Sequence, residues 1–258
     1  MKQKKKLAKV AVLCTCVLGI VAVITLAVSK NSESVENIFA YGNVNILLKE
    51  DKFNAAENNV KKVMTPLSKV DKDPVIVNIG KNDAVVFLKV EIPKAKVYTV
   101  DENKKVSLSK DNQQLFNMIT TYQRIEEVEG VETEIEKDLE KVREEDWKLI
   151  IEDSVSSTEV NTYVYGYNKV LKANKNVDEN SDYMTSPLFD KIQLINILET
   201  DLESLPKNAG DINVYAYAIQ ADNILINNQK VTDDDLNQVE EEKYKNLINI
   251  YNKYVNNS

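Results

Sequence analysis

Between Asp73 and Pro93 the chain reads DPVIVNIGKNDAVVFLKVEIP. Val75, Val77 and Ile79 alternate with Ile76 and Asn78, and past Gly80-Lys81-Asn82-Asp83 the residues Val86, Leu88 and Val90 alternate with Val85, Phe87, Lys89 and Glu91. A period of two is that of a β-strand, so the pattern predicts a hairpin turning at Gly80 to Asp83. Pro74 and Pro93 have no N–H to give to a ladder and bracket the two strands. The same rhythm recurs at Gly42 to Glu50, Lys96 to Val100, Trp147 to Glu152, Val160 to Tyr167, Ile192 to Leu198 and Ile212 to Gln220, about eight strands in all. Tyr163, Tyr165 and Tyr167 fall on one face, which predicts a half-exposed aromatic row with wet hydroxyls. Tyr215 and Tyr217 lie opposite Val214, Ala216 and Ala218.

Two stretches break this rhythm. Ile125, Val128, Val131, Ile135, Leu139 and Val142 recur at spacings of three and four, a helical stripe that Gly130 divides into a short piece and a longer one at about 131–146. Eleven acidic residues between Glu126 and Asp146, against Lys137, Lys141 and Arg143, read as its solvated face, with Glu136 and Glu140 paired one turn on; an acidic surface for a basic partner or for cations is the alternative. At the C-terminal end Thr232 and Asp235 have capping spacing, and Leu236, Val239, Leu247, Tyr251 and Tyr254 form a stripe. This predicts a helix over about 233–254, packed on the sheets or on a neighbouring molecule. The fold class expected is mainly β: an antiparallel two-sheet β-sandwich, jelly-roll or Ig-like, at 42–231. It carries an inserted acidic helical segment at about 112–146 and a C-terminal helix within 232–258.

Charge changes the reading at the N-terminus. Lys2, Lys4, Lys5, Lys6 and Lys9 precede Val10 to Val28, a run of 19 uncharged residues. This is the pattern of an export signal, with small residues at Ala27 and Ser29 placing the cut after Ser29. The run is also of membrane-spanning length, so residues 1–29 as a retained anchor, with an extracellular domain, are the alternative. Cys14 and Cys16 lack the small preceding residues of a lipoprotein signal. Loss of residues 1–29 moves the formal charge from −8 to −13, which disfavours nucleic acid or anionic lipid as partner. Membrane contact is then expected only through residues 10–28, if these stay. No apolar tail follows the C-terminal helix to anchor that end.

The chain has no histidine and its two cysteines lie in the export run. Histidine-ligated zinc, the H-E-x-x-H base and serine or cysteine triads are thereby excluded, and six glycines include no phosphate loop. No cofactor, no metal and no catalytic residue is expected, and disulfides cannot staple the exported chain. Asp101-Glu102 and Asp233-Asp234-Asp235 lack the spacing of a calcium loop and read as a turn and a helix start. Leu205-Pro206-Lys207-Asn208-Ala209-Gly210 departs from a sortase signal at Asn208 and reads as a turn.

The Lys-Asp-Pro entry at Lys72 to Pro74, the Asn-x-Gly turn at Asn78 to Gly80 and the strand running into Pro93 resemble the TasA and camelysin family of secreted, SipW-type signal-peptide-dependent biofilm-matrix proteins. Asn37-Ile38-Phe39-Ala40-Tyr41-Gly42-Asn43-Val44-Asn45-Ile46 is similar to that family's first mature strand. Trp147-Lys148-Leu149, Tyr163 to Tyr167, Ser186-Pro187-Leu188-Phe189-Asp190 and Val214 to Gln220 are similar to later blocks in the same order, so the likeness spans roughly residues 35 to 225. The resemblance implies a secreted structural protein of the extracellular matrix or cell surface, partnered by itself or by related matrix proteins and, during export, by a signal peptidase. It further implies fibre assembly by donor-strand complementation, with residues 30–41 as a flexible donor segment and Val35, Ile38 and Phe39 as its apolar contacts. Camelysin-like proteins have been described as peptidases, but a chain without histidine lacks the ligands for that chemistry.

Overall fold

The computed structural model describes residues 37–55, 66–101, 103–106, 115–128, 131–153, 159–174, 181–198, 201, 212–238 and 244–256. Its axis is β5 (Ala84–Ala95), where Val86, Leu88, Val90 and Ile92 on one face and Val85 and Phe87 on the other are all fully buried. A strand apolar on both faces requires cover on both. On its flanks lie β12 (Asn213–Gln220) and β10 (Val160–Tyr167), both antiparallel to it. Beyond β10 comes β9 (Trp147–Asp153), and beyond β12 comes β1 (Asn37–Tyr41), which runs parallel to β12.

The second sheet has the order β3 (Lys69–Asp71), β11 (Lys191–Leu194), β7 (Ile119–Val128) and β8 (Val131–Lys137), all antiparallel. A two-stranded ladder of β2 (Ile46–Lys49) and β4 (Val75–Asn78) joins the same layer. Between the layers Leu88, Val90, Ala216 and Tyr165 meet Leu48, Ile76, Ile119 and Ile192 in one continuous core. The chain is therefore mainly β and sandwich-like. A single helical turn, α1 (Asp51–Ala55), follows β2, and the opposite face of the β5 sheet is covered by α2 (Asp233–Asn237) and α3 (Lys245–Tyr251), whose Leu236, Leu247, Ile250 and Tyr251 pack on Val85, Phe87, Val164 and Tyr217.

Several expectations need correction. The Asp73 to Pro93 stretch is no hairpin, because β4 pairs with β2 and β5 with β10 and β12, so residues 79–83 arch from one layer to the other. Asn78, fully buried, organises the arch: its Oδ1 accepts from Gly80 N–H at 3.0 Å, and its Nδ2 donates to Asn82 O at 2.9 Å and Leu171 O at 3.2 Å. A Cβ at Gly80 would stand 2.8 Å from the Asn45 nitrogen, so glycine is needed where the arch passes β2's lead-in. Nor does Pro93 end its strand. It lies just past the last β12 partner, Glu91, and just before β5 takes up β6 (Phe116–Asn117) at Lys94, where its missing N–H disrupts no rung. Lys96 to Val100 forms isolated bridges at Thr99 and Val100 rather than a strand.

The helical insertion at 112–146 is overturned. It is the hairpin β7–β8, with Val128 facing Val131 and Gln123 facing Ile135, followed by a 3-10 turn at Leu139–Lys141. Ile119, Thr120, Thr121, Thr133 and Ile135 are β-branched, and β11 offers β7 a ladder that no isolated helix could match. The acids work across strands instead of along a helix. Glu136 accepts from Tyr122 Oη at 3.1 Å, while Glu134 binds Lys69 at 3.1 Å and, more closely, Lys191. The Lys191 ammonium holds the Glu134 carboxyl below its usual range.

The tyrosine row on β10 is buried, not half-exposed. Tyr165 donates to Leu139 O at 2.6 Å, Tyr163 accepts from Asn117 Nδ2 at 3.1 Å, and Tyr167 packs on Trp147 with ring centroids 5.0 Å apart. Each row member thus carries its polar tip into the core with a partner or a ring to meet it. The C-terminal helix is divided into α2 and α3, with Tyr244 at φ +60° opening α3 and a π turn at Asn252–Asn256 closing it. Its expected start is exact: Thr232 and Asp235 form a reciprocal capping box.

Candidate assembly edge

β1 is the outermost strand of the β5 sheet. Asn37 to Tyr41 lie beside Tyr215 to Ile219 in unbroken parallel register, with Ile38 next to Ala216 and Phe39 next to Tyr217. Alternation sends Ile38 toward the sandwich core, where it packs partly buried, and Phe39 and Tyr41 toward the outer layer. Phe39 keeps 42% of its surface exposed, yet its ring stacks on Tyr217 at 5.0 Å and 14°. Tyr217 meets Tyr251 edge-on at 6.0 Å, and Tyr251 meets Phe87 at 5.3 Å. A chain of four rings therefore runs from the edge strand to the central strand.

The exit from β1 is fixed by backbone geometry. Gly42 has φ +90°, and a Cβ there would lie 2.8 Å from Asn223 Nδ2 and 3.0 Å from the Gln220 side chain. Asn43 N–H donates to Gln220 Oε1 at 3.0 Å, and Asn82 Nδ2 donates to Asn43 O at 2.6 Å. At the other end Tyr215 Oη donates to Glu91 at 3.0 Å, and Lys89 pairs with the same carboxylate at 2.7 Å. The edge is thus an apolar, ring-lined seam with polar ties at both ends.

Burial raises the Tyr251 phenol to about 12, helped by the nearby Tyr41, and raises Tyr167 to about 12, helped by Asp146; Tyr217 is pushed higher still by burial and the adjacent Tyr251. These folded-state values stand above the ordinary 10, so the stability each neutral phenol confers is complete below pH 10 and is lost as pH rises through 12. Alkaline titration should show phenolate absorbance and loss of β circular dichroism rising together between pH 10 and about 12, with Tyr251→Phe moving the transition upward. Phenolate absorbance near pH 10 that is present in the parent and missing from Tyr251→Phe, with the sheet intact in both, would contradict this packing.

Of the residues singled out from the sequence, Ile38 and Phe39 are brought together on β1. Val35, the Ser29 cut and residues 10–28 lie outside the described residues, as does Leu205 to Gly210. Residues 37–41, read as part of a flexible segment ahead of the sandwich, are one of its strands. The strand that β1 pairs with is not legible in advance: Tyr215, Tyr217 and Gln220 read as one strand, but nothing in the chain's order says that it lies next to the edge. The acidic runs behave as turn and cap. Asp101 Oδ1 accepts from Lys105 N–H at 2.7 Å, Asp233 Oδ1 from Val170 N–H at 2.7 Å, and Asp235 closes the capping box. Among the described residues no helix is long and apolar enough to cross a membrane, and no three acidic side chains converge as a metal site would need. Scans against protein-family models, curated proteins and solved structures each return no match.

Proposed function

We propose that this chain is a secreted structural protein that assembles into fibres in the extracellular matrix or on the cell surface, each subunit lending residues 30–41 to the β12 edge of the next. The observation that supports this reading is the parallel β1·β12 pair itself: a short strand near the N-terminal end, held at a sheet edge over five register pairs and by one exposed ring stack. A segment from a second copy can make the same hydrogen bonds and the same contacts, so exchange costs little at equilibrium and is limited by release of β1. Catalysis has no part in this proposal. A test compares residues 30–258 with a chain beginning at Gly42 by electron microscopy. Fibres are expected only from the longer chain, and fibres from the shorter one would sink the donor assignment.

A second reading follows from the 19-residue uncharged run, which is long enough to hold the sandwich at a membrane as a tethered adhesion or binding module. Intact mass of the exported protein separates the two, because exchange between subunits requires the cut after Ser29.

A further inference from the structure

We propose that a cleft at the sandwich corner, remote in sequence from the assembly edge, binds a neutral sugar. It has a volume of about 490 Å³ and lies where β5 leaves β12 for β6, walled by β10, residues 99–100 and residues 195–196. Thr99, Asn117, Asn161 and Asn196 supply its polar lining, Phe116 a half-buried ring, and three aliphatic side chains the remainder. None of these is charged, although charged residues make up 29% of the chain. A charged ligand would lose hydration there with no opposite charge to offset it. Carboxamides both donate and accept, the combination that sugar hydroxyl and acetamido groups require, and an aromatic ring suits the apolar face of a pyranose.

The cleft wall is preorganised. Asn161 Nδ2 donates to Asn117 Oδ1 at 2.7 Å, Asn117 Nδ2 donates to Tyr163 Oη at 3.1 Å, and Asn196 Nδ2 donates to Val100 O at 3.0 Å. Around them Met118 N–H donates to Pro93 O and Ile195 N–H to Met118 O, so the backbone beneath is tied across both layers. Asn161 is only 8% exposed, and among the described residues its Oδ1 has no hydrogen-bond donor. That oxygen is enclosed by the wall, so Asn161 acts by holding the half-buried Asn117 carboxamide in place for a ligand rather than by touching one. This reading does not depend on fibre assembly, since the cleft shares no residue with β1 or β12.

The test titrates the full chain, in a detergent without a sugar headgroup, with chitotriose and with cellotriose, following backbone amide shifts. Saturable shifts at Asn117, Asn161 and Ile195 are expected from at least one probe, with Kd on the order of 1 mM. Asn161→Ala and Phe116→Ala should each weaken binding by about tenfold or more while the melting profile shows that the sheet remains folded. If Asn161→Ala fails to fold, Phe116→Ala and Asn196→Ala carry the comparison. No shifts with either sugar at about 10 mM, or equal shifts in wild type and variants, would overturn the proposal. Shifts from an uncharged pentapeptide but from neither sugar would assign the cleft to a peptide segment and overturn it equally.

Discussion

Phe87→Ala should lower the free energy of unfolding by about 3–5 kcal/mol, a large share of the roughly 5–15 kcal/mol that holds a domain together. Phe87 is fully buried on the outer face of the central strand and meets the Tyr251 ring at 5.3 Å and 63°. Deleting its ring opens a void between the β5 sheet and α3 that neither neighbour can close, because β5 is clamped on both sides by β10 and β12. Urea unfolding should show a lower midpoint with an unchanged slope. A loss below about 1 kcal/mol would mean that the C-terminal helices do not form the third layer described above.

Lys72→Ala should cost about 3–5 kcal/mol by a different route. The Lys72 ammonium lies 2.7 Å from Glu50 Oε1 and 2.9 Å from Oε2, and the two side chains are only 3% and 5% exposed. Phe53 covers the ammonium at 4.4 Å from its ring centroid. Removing the lysine strands a carboxylate in an apolar setting, whereas Lys72→Met combined with Glu50→Leu removes both charges and should restore most of the stability. Denaturation of the single and double variants checks this. A double variant as unstable as the single one would show that the pair itself, rather than the stranded charge, carries the energy.

The sequence made the strands legible wherever period-two alternation met one buried face, as in Val214 to Gln220, whose tyrosines and small residues sort to opposite sides as expected. It also placed the Thr232 cap, because capping is a contact between residues three apart. Partnership between strands is a long-range fact and stayed hidden. The two strands around Gly80 are adjacent in the chain yet belong to different layers, and only the buried Asn78 amide reveals the arch between them. The Ile125 to Val142 stripe failed for a related reason: spacings of three and four arise as readily from two β-branched strands that face each other. The ladder supplied by β11 decides between them. For the edge, Ile38 and Phe39 were readable as apolar residues in a terminal segment, but their seat on β12 required the fold.

A cross-link between neighbouring strands tests the assembly claim most directly. Ala40 and Ala218 are register partners on β1 and β12, and the chain that starts at Lys30 has no other thiol once Ala40→Cys and Ala218→Cys are introduced together. Fibres grown under reducing conditions and then oxidised should yield a covalent ladder of dimers, trimers and longer chains on a non-reducing gel, because each β1 lies on a different subunit. Fibres that yield only monomers closed by an internal disulfide would show that β1 never leaves its own sheet, and donor exchange would be contradicted.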